Sequence, residues 1–316
     1  MPPDQRTDHT PWTITHDPVS VDVVEFRKIS GKKVHREEPL HDKLTAMIAH
    51  QFDGSKQQAM IQSREAQKPE WFIEAESDAR SFMSSLGFDN LGEIYLIEGH
   101  LDVHGLNVNA YHDTLTRRTL ASEAKFNHIL QAEGIITATS VLVHELTHNT
   151  APRPERITLQ QYADSTTEYE QRNGWLISGK HGDQGSFLEE AFAEYAASLY
   201  RRQSSDPYCH LLPKDYTPTP DLPAHLQTGA IVAGPDAHAL ELIAWGVEQR
   251  VIMSADSFIG LCFDARKSIT YASATREVIQ AINSLSPGLY SYLKKLEYSK
   301  ENWATARDIV YEIVTH

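Results

Sequence analysis

The run at residues 137–149, TATSVLVHELTHN, limits what this chain can fold into more than any other stretch. It has a strongly apolar body, a threonine suited to begin a helix at Thr137, and Pro152 shortly after its end, so it predicts a well-bounded helix. His144 and His148 stand four positions apart within it. On a helix that spacing stacks the two imidazoles one turn above the other on a single face, within reach of one metal ion. Val141 and Glu145 share or flank that face, while Leu142, Val143 and Leu146 point elsewhere into a core. Glu145, adjacent to the first histidine, is placed to take a proton from a metal-activated water and not to bind the metal. The chain's 16 histidines raise the background for such a pattern, yet composition frequencies give a chance occurrence of only roughly a few per cent.

Composition narrows the ligand chemistry. Cys209 and Cys262 are the only cysteines, so neither a disulfide framework nor a cysteine-built zinc knot is available, and nitrogen and oxygen must hold any metal. A net charge of -14 opposes a nucleic-acid or anionic-membrane surface. The best basic cluster, Arg27, Lys28, Lys32, Lys33 and Arg36, straddles Ser30-Gly31 and reads as a solvated hairpin loop. Among the 316 residues no apolar run approaches the ~20 needed to span a bilayer as a helix. The N-terminal residues are polar, carry Pro2, Pro3 and Pro11, and lack the pattern of a secretory signal. They predict a flexible tail over 1–18 on a cytoplasmic protein, with the remainder forming one domain.

Periodicity and turn chemistry divide that domain, 19–316, into a mixed α/β lobe (19–150) and a mainly helical lobe (151–316). In the first, strands are expected at 21–29, 92–98 and 106–111, helices at 40–52 and 70–86, and a hairpin at 111–120. The second holds a hairpin-like stretch at 172–177 and a loop marked by Pro207, Pro213, Pro218, Pro220 and Pro223. Helices follow at 236–251, 257–265, 275–285, 289–298 and 303–314. The fold class is α+β, with a small antiparallel sheet packed on the helix at 137–149.

A catalytic zinc needs a third protein ligand and an open position. The best source is GSFLEEAFAEY at 185–195. Ser186 and Glu189 form a capping-box pattern, which gives Glu189 a structural task and leaves Glu190 to bind the metal. Glu194, one turn on, is a second acceptor that could orient a ligand histidine or serve as an alternative ligand. Ala191, Ala193, Ala196 and Ala197 would allow close approach to the histidine helix.

In these residues the sequence resembles the gluzincins, metallopeptidases in which an HExxH helix is followed by a glutamate ligand on a second helix. HELTH matches at His144, Glu145 and His148, and LEEAFAEY at 188–195 is similar to the family's LNEGFA-type segment, with Glu190 at the ligand position. The likeness covers about 60 residues, 136–195, and departs from the family in Glu189 and in a longer gap between His148 and Glu190. It implies a zincin-like fold, one zinc ion per chain, a peptide or protein substrate lying along an edge strand at 106–111, and peptide-bond cleavage with Glu145 as general base. The inserted stretch, 149–185, would form a lid or a specificity element.

An oxyanion donor is also implied, and Tyr169, Tyr195, His238 and Tyr271 are all open to that role. His100 and His104 repeat the four-residue spacing, but in a strand this separates them by ~13 Å, so a structural role is expected. Two further readings share the same residues: a metal-binding scaffold that recruits a partner, and a zinc hydrolase of a non-peptide amide.

Overall fold

A computed structural model describes residues 12–13, 23–30, 33–37, 62–63, 65–89, 91–103, 106–113, 118–151, 156–161, 167–179, 184–204, 235–267, 273–296 and 299–316. The first elements are β1 (Trp12–Thr13), β2 (Val23–Ser30), β3 (Lys33–Glu37), β4 (Gln62–Ser63) and α1 (Glu70–Ser85). Then come β5 (Ile94–Ile97), β6 (Leu101–Val103), β7 (Leu106–Val108), β8 (Ala110–Asp113), β9 (Arg118–Ser122), α2 (Glu123–Glu133) and α3 (Ile135–Asn149). The later part contains β10 (Arg156–Gln161), β11 (Thr167–Asn173), β12 (Leu176–Gly179) and α4 (Ser186–Gln203). It continues with α5 (Pro235–Gln249), α6 (Ala255–Lys267), α7 (Ser273–Leu285), α8 (Leu289–Lys294) and α9 (Lys300–Thr315). The chain is thus α+β. Among the described residues no helix is long and apolar enough to cross a membrane. The helix expected at 40–52, the proline-rich loop, and most of the expected tail lie outside the described residues.

Two compact units result, one of Met1–Ser20 with Leu40–Asn149, the other of Val21–Pro39 with Thr150–His316. In the first, α3 packs against α1, α2 and the strands β8 and β9. Helix α1 offers Phe72, Ala75, Ala79, Phe82 and Met83, a stripe at helical spacing that is fully or almost fully buried. The sheet beside α3 has the order β5-β9-β8. It is mixed, not antiparallel as the sequence suggested: β8 and β9 pair antiparallel, but β5 runs parallel to β9. The reason shows in β9, where four of five residues are buried in succession, the signature of a central strand covered on both faces. The stretch expected as one strand at 106–111 breaks at Asn109; its first half pairs with β6 in a separate two-stranded sheet and its second half opens β8.

The second unit is built on a five-stranded sheet, β12-β11-β10-β2-β3, in which β10 lies parallel to β2 and the other neighbours are antiparallel. The hairpin expected at 172–177 is β11–β12, turning through Gly174 and Trp175. Helix α5 is buried along almost its whole length and packs against α4, α6, α7 and α9. At Gly246 a side chain would run into Val314, so glycine permits the close approach of α9.

Candidate metal centre

Helix α3 begins at Ile135, directly after Gly134, and not at Thr137. Leu142, Val143 and Leu146 have no exposure, as their positions on the helix predicted, so the apolar face fixes the direction in which the histidines point. Thr147 donates to the Val143 carbonyl at 2.8 Å, and Asn149 Nδ2 reaches Thr119 Oγ1 on β9 at 3.3 Å. Thus the last turn is held in rotation as well as in position. The rings of His144 and His148 meet edge to face with centroids 5.0 Å apart, and their Nε2 atoms are 3.3 Å from each other. Glu145 between them is almost fully buried.

A residue that pattern reading missed stands next to them. His112 on β8 is buried and stacks on the His148 ring, with centroids 6.3 Å apart and planes only 15° from parallel. The strand alternation of AYHD carries no signal that would have set this histidine apart from His100 or His104. His100 lies in the turn after β5, near Asn107, and His104 is outside the described residues.

Helix α4 starts differently from its sequence expectation. Its N-cap is Gly185, in the left-handed region, and no side chain caps the helix; Ser186 instead donates to the Leu296 carbonyl. A Cβ at Gly185 would collide with the Trp175 carbonyl, so this close approach requires glycine. The capping box is absent because Glu189 has stronger partners. Its Oε2 accepts from Arg266 Nη1 at 2.6 Å and from the Trp175 amide at 2.9 Å. Arg266, on α6, is buried, also donates from Nε to Thr150, and lies over the Phe192 ring. Gly174 belongs to the same arrangement: a side chain there would strike the Glu189 carboxylate.

With Glu189 engaged in this way, Glu190 is the carboxylate that joins the histidines. One ligand atom from each of His144, His148 and Glu190 lies within 4.8 Å of the other two, so this group can hold a metal ion. No family model, curated protein or solved structure matches the chain significantly. The donor set fits zinc on its own chemistry. Two nitrogens at 2.0–2.1 Å from a tetrahedral ion stand about 3.3–3.4 Å apart, and the histidine Nε2 atoms are separated by 3.3 Å.

Asp236, in the first turn of α5, is a second residue that sequence reasoning passed over. Burial pushes its carboxyl up to about 6, and the nearby Glu194 and, more weakly, Glu190 carboxylates add to the rise against two backbone amides. Pro235-Asp236 is an ordinary helix start by sequence, so only the fold reveals that it brings negative charge towards Glu190 and Glu194. His238 on the same helix is buried. Tyr195 lines a cleft with Arg202 and Glu241. The side chains of Tyr169 and Tyr271 are outside the described residues, as is Cys209, while Cys262 is a buried free thiol whose ionisation burial suppresses.

Proposed function

We propose that this chain is a zinc-dependent hydrolase of the gluzincin type, zincin-like in fold, which cleaves peptide bonds in the cytoplasm. The observation that carries the reading is the grouping of His144, His148 and Glu190 at ligand distance, with the two Nε2 atoms at the separation a tetrahedral zinc would impose. Three protein ligands leave one position for water or substrate, which favours catalysis over a closed structural site. A zinc ion held there would polarise the scissile carbonyl and acidify a water molecule. Glu145 would take a proton from the attacking water and deliver it to the leaving amine. Its low exposure keeps competing solvent away from the carboxylate.

Other residues then have supporting tasks. Glu194 offers an acceptor near Glu190 to orient the ligand shell. The negative charge gathered around Asp236, Glu194 and Glu190 favours occupation by a divalent cation. Strand β8 is the edge of its sheet and carries His112 next to His148, so an extended peptide would lie along that edge.

Elemental analysis of purified protein tests the site. The expected result is about one zinc per chain in the parent and in Glu194→Ala, with the metal lost in His148→Ala and Glu190→Ala. Glu145→Gln should keep its zinc while hydrolysis of a peptide library falls by ~10²–10⁴-fold. A parent protein that takes up no stoichiometric metal after zinc has been offered would end the hydrolase reading. Unimpaired hydrolysis in Glu145→Gln would remove that residue from its role.

A further inference from the structure

The second unit contains a cleft of about 410 Å³ that the metal chemistry does not use. Its walls come from α4 (Tyr195, Arg202), α5 (Glu241, Trp245, Glu248) and the first turn of α6 (Asp256). It is separate from Glu190. Tyr195 and Arg202 follow Glu190 by 5 and 12 positions. At 100° per residue they lie about 140° and 120° around the helix from it. On α5, Glu241, Trp245 and Glu248 recur at helical spacing, so one continuous stripe of that helix faces the cleft.

Charge decides what such a cleft would accept. The Arg202 guanidinium is ion-paired with the buried Glu241 at 2.6 Å. That leaves the carboxylates of Glu248 and Asp256, both exposed at the rim, to set the sign of the cleft. Glu248 sits in the last turn of α5, which carries no basic residue. The helix dipole disfavours an anion at that end and would welcome a cation beside it. The same sign is felt at Tyr195, whose hydroxyl is pushed up to about 12 by burial first and then by Glu241, with Arg202 opposing and Asp256 adding to the rise. Trp245 contributes an aromatic surface and Ile259 an apolar one. Carboxylates next to an indole form a receptor for a cation that has a flat or apolar body, and the volume is in the range of small-molecule sites.

We propose that this cleft is a binding site for a small organic cation of the amidinium or guanidinium class, held by Glu248 and Asp256 with its body against Trp245. The site is independent of the metal group and stands or falls without it.

Benzamidine, with benzamide and benzoate as neutral and anionic probes of the same shape, tests this by isothermal titration calorimetry on the full chain. The expected result is saturable benzamidine binding with a Kd of about 1 mM or lower and no saturation by benzoate. Asp256→Asn and Glu248→Gln should each weaken it ~3-fold, and together ~10-fold. Trp245→Leu should weaken benzamidine by a similar factor, in protein whose melting transition is unchanged. No saturation by benzamidine at about 10 mM overturns the proposal. So does equal binding of all three probes, or binding that persists undiminished in the double carboxylate variant.

Discussion

The two helices that bring ligands to the candidate centre are anchored by opposite physics. Helix α3 is held by an apolar face, Leu142, Val143 and Leu146, all fully buried as the helix packs against α1, α2 and the strands β8 and β9. The start of α4 is held by charge, through Glu189 and Arg266, both almost fully buried and bound to each other at 2.6 Å. Apolar packing tolerates substitutions of similar volume, whereas a buried ion pair is harmed most by losing one partner. The lesson concerns sensitivity: the histidine pair should respond to lost volume, and the glutamate side of the centre to lost charge.

The largest effect that would sharpen this contrast is Arg266→Met. It leaves the Glu189 carboxylate buried without its cation, and a loss of ~3–5 kcal/mol is expected in urea denaturation. The double variant Arg266→Met/Glu189→Leu should recover more than half of that loss, since the uncompensated charge is gone. If the double variant were as unstable as the single one, packing and not charge would be anchoring α4.

Leu146→Ala should cost about 3 kcal/mol by leaving a cavity under α3, with little dependence on salt or on pH between 5 and 8. A strong pH dependence of this loss would break the comparison from the other side. The smallest effect belongs to Asp236. Its folded carboxyl holds a proton to about pH 6, against about 3.9 when unfolded. The folded state therefore binds more protons across this window, and stability falls as pH rises through it. In metal-free protein Asp236→Asn removes that fall and should be ~1–3 kcal/mol more stable than the parent at pH 7. Denaturation curves at pH 4 and pH 7 check the sign; an unchanged slope would show that Asp236 is not the group responsible.

What could be read from the sequence follows the same division. The helix over 137–149, though not its start at Ile135, and the burial of Leu142, Val143 and Leu146 were legible because apolar periodicity is a local signal. Glu190 could be proposed because a histidine pair asks for a third donor. Glu189 was misassigned to a capping box because its true partner, Arg266, lies 77 positions away, and a long-range charge pair leaves no local trace. The direction of β5 relative to β9 was lost for a related reason, since an apolar run marks a strand but not the orientation of its neighbour. His112 and Asp236 were invisible because only tertiary packing carries them towards the ligand residues.

The parallel pairing of β2 with β10 sets an order of events during synthesis. Val23 pairs with Arg156, so β2 leaves the ribosome about 130 residues before its partner strand, an interval of roughly 7–26 s at 5–20 residues per second. Throughout that interval the edge of β2 that will take β10 stays open, while Leu40–Asn149, most of the other unit, is completed. The histidine helix can be made and buried while the sheet of the second unit still waits to close, and Glu190, the third member of the candidate metal group, arrives after both histidines.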